Sequence, residues 1–251
     1  MIPVTAALAC LFTAAALTGC GAGDGGAEKS AAELLDEAND TMRDLRYVTI
    51  EMTNTAGSGK VTMRLRTDLK DRCTAKTTWG DKGSLEQIRI GETDYVRPDE
   101  TYLENWRGRP VADVRPKQWA KVPADEAQPG DGLAACTWPF ASFGKVKKGE
   151  ATRVGDRETI ALHVTDKADK EGTYTFYVAT EGEPHLLKTV YKGGGNVTTT
   201  SFSAFDEPVD VRPPASAQVL DKADIRADAR MSRTPHLPAR RTPCRGGRSG
   251  P

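Results

Sequence analysis

Apolar residues recur along this chain with two periods, and the change from one to the other organises it. From Ala31 they fall at Leu34, Leu35, Ala38, Met42 and Leu45, while Asp36, Glu37, Asp40, Arg43 and Asp44 take the positions between. That spacing draws one apolar stripe on a cylinder of 3.6 residues per turn, so residues 31–45 are predicted to form an amphipathic helix. Ser30 and Glu33 at its start have the capping-box spacing, in which each side chain satisfies a backbone N–H that the helix end leaves free. Beyond residue 46 the period drops to two. Val48, Ile50 and Met52 alternate with polar residues, Ala56-Gly57-Ser58-Gly59 makes a hairpin turn, and Val61, Met63 and Leu65 alternate against Thr62, Arg64 and Arg66 on the return. Further strands are predicted at 73–79, 85–91, 94–97, 119–122, 159–165, 173–179, 186–192 and 197–205, with Gly80, Gly91, Gly172, Gly182-Glu183-Pro184 and Gly193-Gly194-Gly195 between them. Residues 107–143 are poorer in strand signals and rich in Pro, Gly and Ala, and are predicted to hold a loop and a short helix.

Short strands at about ten-residue spacing joined by tight turns imply a large antiparallel sheet. One helix cannot cover a flat sheet of that size. The predicted fold is therefore α+β, a curled half-barrel sheet wrapping the amphipathic helix and a second short one. The helix face of Leu34, Ala38, Met42 and Leu45 must meet something apolar, either a close-packed core or the wall of a ligand cavity.

Residues 2–17 are almost wholly apolar or small and run into Leu17-Thr18-Gly19-Cys20. A bilayer-spanning helix needs about 20 such residues, so this shorter run reads as an export signal that is removed. The four ordered residues resemble the bacterial lipobox, which implies that the Cys20 thiol carries a diacylglyceryl group and holds the chain at the outer face of a membrane. The alternative is a small-residue helix with a buried cysteine. No Lys or Arg precedes the apolar run, which points to a start a few residues upstream. Residues 20–29, rich in Gly and Ala, follow as a flexible tether to a domain spanning 30–221.

Charge changes the picture at the other end. Residues 222–251 carry eight Lys and Arg against two Asp, whereas residues 21–221 carry 27 against 33. The tail, with four Pro and few large apolar residues, is predicted to be disordered, and the acidic body gives no reason to expect nucleic acid as a partner. Of the five cysteines, Cys10 leaves with the signal and Cys20 is taken by the lipid. Cys73 and Cys136 fall inside the body, and in an oxidising compartment they are the natural disulfide pair, the alternative being two buried thiols. Cys244, among Arg, Pro and Gly, is expected to stay single.

Catalytic chemistry finds little support. His163, His185 and His236 are scattered, and no nucleophile elbow, His-Glu-x-x-His or phosphate-cradling Gly-Lys motif occurs, so neither an enzyme nor a metal or other cofactor is expected. Trp79, Trp106, Trp119 and Trp138 are candidates for lining a lipid cavity or for ordinary core.

The order of lipobox, tether, helix and about ten antiparallel strands resembles the LolA-like superfamily, in particular actinobacterial lipoproteins of the LppX and LprG type. Thr93-Asp94-Tyr95-Val96-Arg97 with Trp119-Ala120-Lys121-Val122-Pro123 looks like one strand pair of that family. Thr173-Tyr174-Thr175-Phe176-Tyr177-Val178-Ala179 followed by Gly182-Glu183-Pro184-His185-Leu186-Leu187-Lys188 looks like a hairpin of it, and Phe202-Ser203-Ala204-Phe205 with Pro208-Val209-Asp210-Val211 like its last strand. The resemblance covers roughly residues 30–214. It implies an open barrel that holds acyl chains between sheet and helices, with a lipid or other amphiphile, or an envelope protein, as partner. The Cys73 and Cys136 pair and the basic tail depart from the family pattern.

Overall fold

The computed structural model describes residues 28–105, 118–126 and 132–220. Cys20 and its tether as far as residue 27, Trp106 and the basic tail lie outside the described residues. Helix α1 (Ala31–Asp44) begins with the expected capping box: the Glu33 N–H donates to Ser30 Oγ at 3.2 Å, and the Ser30 N–H donates to the Glu33 carboxylate at 2.8 Å.

Strands β1 (Val48–Ala56), β2 (Gly59–Thr67), β3 (Arg72–Trp79), β4 (Ser84–Ile90) and β5 (Thr93–Pro98) form a meander. Helix α2 (Glu100–Asn105) and β6 (Trp119–Pro123) follow. The chain continues through β7 (Lys145–Val154), β8 (Arg157–Thr165), β9 (Thr173–Ala179), β10 (Leu186–Gly193), β11 (Asn196–Ser203) and the two-residue β12 (Val219–Leu220). The strands make one open sheet in the order β12-β6-β5-β4-β3-β2-β1-β11-β10-β9-β8-β7. All neighbours are antiparallel except β12, which runs parallel to β6. Strand β1 pairs with both β2 and β11 and so joins the two halves. Gly194 and Gly195, both at positive φ, close the β10–β11 hairpin, a geometry that glycine adopts without steric cost.

Helix α1 lies on the inner face and touches β7, β9 and β10, while Ile50, Leu65 and Ala75 from β1 to β3 join the same buried cluster. Alternation then sets the faces. Val48, Ile50, Leu65, Cys73 and Ala75 point inward and are buried; Glu51, Arg64, Arg66 and Lys76 point outward.

Three details differ from the sequence pattern. Strand β7 is rich in Lys and Glu and hides its alternation because it is an edge strand, where charge is favoured, and because a bulge between Lys148 and Ala151 shifts its register. Helix α2 was not expected, and Asp99 fixes its start by accepting the Tyr102 N–H at 2.7 Å; within the stretch predicted to hold a short helix, Ala124–Glu126 form a 3-10 turn, and residues 107–117 and 127–131 lie outside the described residues. Strand β11 stops at Ser203 because Ala204 turns to φ 53° and carries Asp206 back to Arg46, whose N–H it accepts at 2.6 Å.

Candidate ligand-binding site

The helix face drives the geometry. Leu35, Ala38 and Met42 have no exposed surface and pack with Leu162, Val164, Phe176 and Phe202. Ala38 and Met42, expected to border either core or cavity, border core.

What fills the rest of the inner face is a segment without regular structure. Residues 132–143 run as an extended strap in which Ala134, Cys136 and Phe140 face inward and Ala135, Thr137 and Pro139 outward. Cys136 is disulfide-bonded to Cys73 on β3, with Cα atoms 5.4 Å apart. Hydrogen bonds hold the strap at intervals. Gln87 donates to the Ala134 carbonyl at 3.1 Å and accepts the Ala134 N–H at 2.7 Å, as a neighbouring strand would. The Thr67 hydroxyl donates to the Cys136 carbonyl, Arg43 to the Phe140 carbonyl at 3.0 Å, and Asn39 to the Ser142 hydroxyl at 3.0 Å. Trp138 and Phe140 set their rings against Phe202, and Phe143 lies edge-on to Tyr174.

Beneath the strap, Gln87 also donates to the wholly buried Asp94 at 2.8 Å, and Arg89 grips the same carboxylate through Nε at 2.8 Å and Nη2 at 2.5 Å. The carboxylate raises the Arg89 pKa, chiefly through that hydrogen bond, against the opposing effect of burial. This polar cluster sits beside a second apolar core of Leu85, Val96, Tyr102 and Ala120.

Open space lies along the flank of α1, against the turn between β9 and β10. One end, about 460 Å³, is lined by Leu34, Ile160, Val178, Ala179 and Pro184, with Lys29, Glu37 and Lys148 among the polar groups. The other, about 420 Å³, is lined by Leu45, Phe205 and His185 with Asp40, Asp44 and Asp206. Glu37 borders both, so the two lie next to each other along the helix as a trough in two parts. Lys29 pairs with Glu37 at 2.5 Å, and Lys148 binds Glu28 and holds its carboxyl below the usual range by hydrogen bond and then by charge. The apolar end can take hydrocarbon, and its polar rim is made of these two lysine–glutamate pairs.

His185 closes the acidic end. It stacks on Phe205 with ring centres 4.1 Å apart, and its Nδ1 is buried without a partner. Burial, and then Arg157, lower its pKa below that of a free imidazole.

The sequence-derived candidates thus separate. Leu34 and Leu45 line the trough, and Ala38 and Met42 lie beneath it. Trp79 packs on Tyr102, Trp138 belongs to the strap, and Trp119 lies under the Arg97 guanidinium on the outer face. The strap itself was missed. Its signal was the inward series Ala134, Cys136, Trp138 and Phe140, a period of two that Pro139 disqualifies from any central strand ladder. Among the described residues no group of three or more His, Cys, Asp or Glu converges to hold a metal.

No protein-family model matches the chain, and no curated protein does. Among solved structures, LprF from Mycobacterium bovis matches 74% of this chain and 97% of its own at 15% identity, with a TM-score of 0.52. The fold is LolA-like. Lipoprotein LppX from Mycobacterium tuberculosis matches over 71% of this chain and 98% of its own, at 15% identity and a TM-score of 0.48. A chain of the Pseudomonas aeruginosa MucA/MucB complex matches over 75% and 59%, at 13% identity and a TM-score of 0.37. At these identities the likeness is one of fold and carries no ligand across. Within this LolA-like sheet, helix and strap fill the inner face from β1 to β4, and the trough beside α1 stays open.

Proposed function

We propose that this chain is a non-enzymatic envelope protein, lipid-anchored through Cys20, whose trough beside α1 takes an acyl chain or another amphiphile. The observation that carries the reading is the open apolar space beside α1, lined by Leu34, Ile160, Val178 and Pro184. Moving apolar surface out of water supplies about 25 cal/mol per Å², so a hydrocarbon chain needs no specific polar contact. The disulfide fits an oxidising compartment outside the cytoplasm, where the Cys20 anchor would place the chain. Leu34 is only partly buried, so Leu34→Glu is expected to leave the melting temperature within a few degrees while weakening a fluorescent acyl probe at least tenfold. Unchanged probe binding by the folded variant refutes the trough. Separately, Cys20→Ala is expected to move the protein out of the membrane fraction; a mutant still processed and retained there refutes the anchor.

A second reading has its own observation. Ala38 and Met42 are fully buried and the strap fills the inner face beside them, which favours an interaction module that binds an envelope protein. Organic extraction of protein purified from its native host separates the two. Stoichiometric lipid supports the trough, and lipid-free protein with a stoichiometric partner supports the module.

A further inference from the structure

The outer face of the sheet is sorted by charge. Register carries a row of outward positions from Lys188 on β10 through Ser201 and Glu51 to Arg64, Lys76, Glu86 and Arg97. Glu51 pairs with Arg64 at 3.4 Å, and Glu86 pairs with Lys76 at 3.7 Å and with Arg97. Both acids of the row are thereby engaged. Neighbouring rows add Arg66 opposite Thr49, Lys60 opposite Thr55 and Lys192 opposite Val197, and these three are exposed. Lys60, Arg66, Lys188 and Lys192 have no ion pair with a described residue, and Arg64 and Lys76 keep 64% and 57% of their side-chain surface exposed. Threonine hydroxyls fill much of the space between, as in the row Thr199, Thr53, Thr62 and Thr78.

The opposite side is acidic. Helix α1 turns Glu33, Asp36, Asp40 and Asp44 to solvent, and residues 21–221 are net acidic as a whole. Cations gathered on one face of an acidic body give the molecule a directed field rather than a diffuse charge. Strands β10, β11, β1, β2 and β3 lie side by side in the middle of the sheet order.

We propose that this outer face docks on an anionic lipid bilayer, with the middle strands against phosphate headgroups and the acidic helix side turned away. The inference rests on the reading that the chain is held at a membrane, and it adds an orientation. Charge complementarity selects the occupant, because basic residues close to an anionic leaflet each raise partitioning about fivefold, within a Debye length of about 10 Å. The anchor would then confine the protein while the face sets which way the trough opens.

The test uses the full chain carrying Cys20→Ala, so that no acyl anchor contributes, and vesicles of phosphatidylcholine with or without one third phosphatidylglycerol. Binding is expected only to the anionic vesicles and is expected to fall steeply with added salt. Combining Lys60→Glu, Arg66→Glu, Lys188→Glu and Lys192→Glu is expected to weaken it on the order of a hundredfold or more. The matching Lys→Gln and Arg→Gln set, gentler on folding, is expected to lose most of the binding, and Lys→Arg changes are expected to retain it. Anionic-vesicle binding that survives in the glutamine set overturns the proposal, since the 222–251 segment then carries it. A parent chain that ignores anionic vesicles but is retained by an anionic polysaccharide overturns it too. Acyl-probe binding and membrane fractionation do not depend on vesicle charge, so failure here leaves the trough and the anchor to be judged by their own tests.

Discussion

Asp94 is the residue on which the buried polar cluster beneath the strap turns. It has no exposed surface, and both of its oxygens are taken by Arg89 and Gln87. Removing one partner of a buried pair leaves the other charge uncompensated, so Asp94→Ala is expected to destabilise the fold by about 3–5 kcal/mol in urea unfolding. A smaller loss would mean that water reaches Arg89 and replaces the carboxylate. His185 gives the pH dependence. Its folded pKa lies below the unfolded value, so the unfolded chain takes up the proton first as pH falls. The stability it contributes is complete above pH of about 6.5 and is lost as pH falls through that value towards the folded pKa. The melting temperature is therefore expected to drop between pH 7.5 and 5.5, and His185→Gln is expected to flatten that slope. An equal slope in the variant would place the titrating group elsewhere.

At the scale of elements, the strap decides how closed the inner face is. Its disulfide spans a sequence separation of 63 residues, which on the chain-entropy model corresponds to about 4 kcal/mol. Replacing Cys73 and Cys136 by Ser is expected to lower the melting temperature by more than ten degrees and to speed amide exchange of residues 132–143 ahead of the strands. Thiol labelling of the unreduced, denatured wild-type protein at both positions would show that the bond does not form. Helix α1 makes a complementary case. Ala38 has no free surface, so Ala38→Trp is expected to cost about 1–3 kcal/mol or more through overpacking. A variant that melts like the parent would reveal space beneath the helix.

For the whole molecule, the arrangement is an open LolA-like sheet with its chemistry distributed over three surfaces: a filled inner face, a trough along one side of α1, and a basic outer face. Each has a different physical origin. The inner face closes because apolar strand positions and strap aromatics exclude water together. The trough borders α1 at Leu34 and Leu45, which line its two parts at the margin of the helix stripe. The outer face is basic because strand alternation sends Arg64, Arg66 and Lys76 to the side opposite Leu65 and Ala75.

Much of this was legible before any coordinates. The capping box and 3.6-residue stripe determined α1, and alternation with glycine turns determined most strands to within two or three residues, because these signals are local and repeat every turn or every second residue. The pairing of Cys73 with Cys136 could be chosen because they are the two cysteines inside the predicted domain. Tertiary structure alone decided three matters. It placed Ala38 and Met42 in core rather than beside a cavity, which depends on what the distant strap brings to the helix. It made 132–143 a strap, since hydrogen bonds from Gln87, Thr67 and Arg43 replace the ladder that Pro139 forbids. It aligned Lys188, Arg64 and Lys76 across three strands, because cross-strand register follows from pairing, and pairing of β1 with β11 joins residues about 150 positions apart that no local pattern connects.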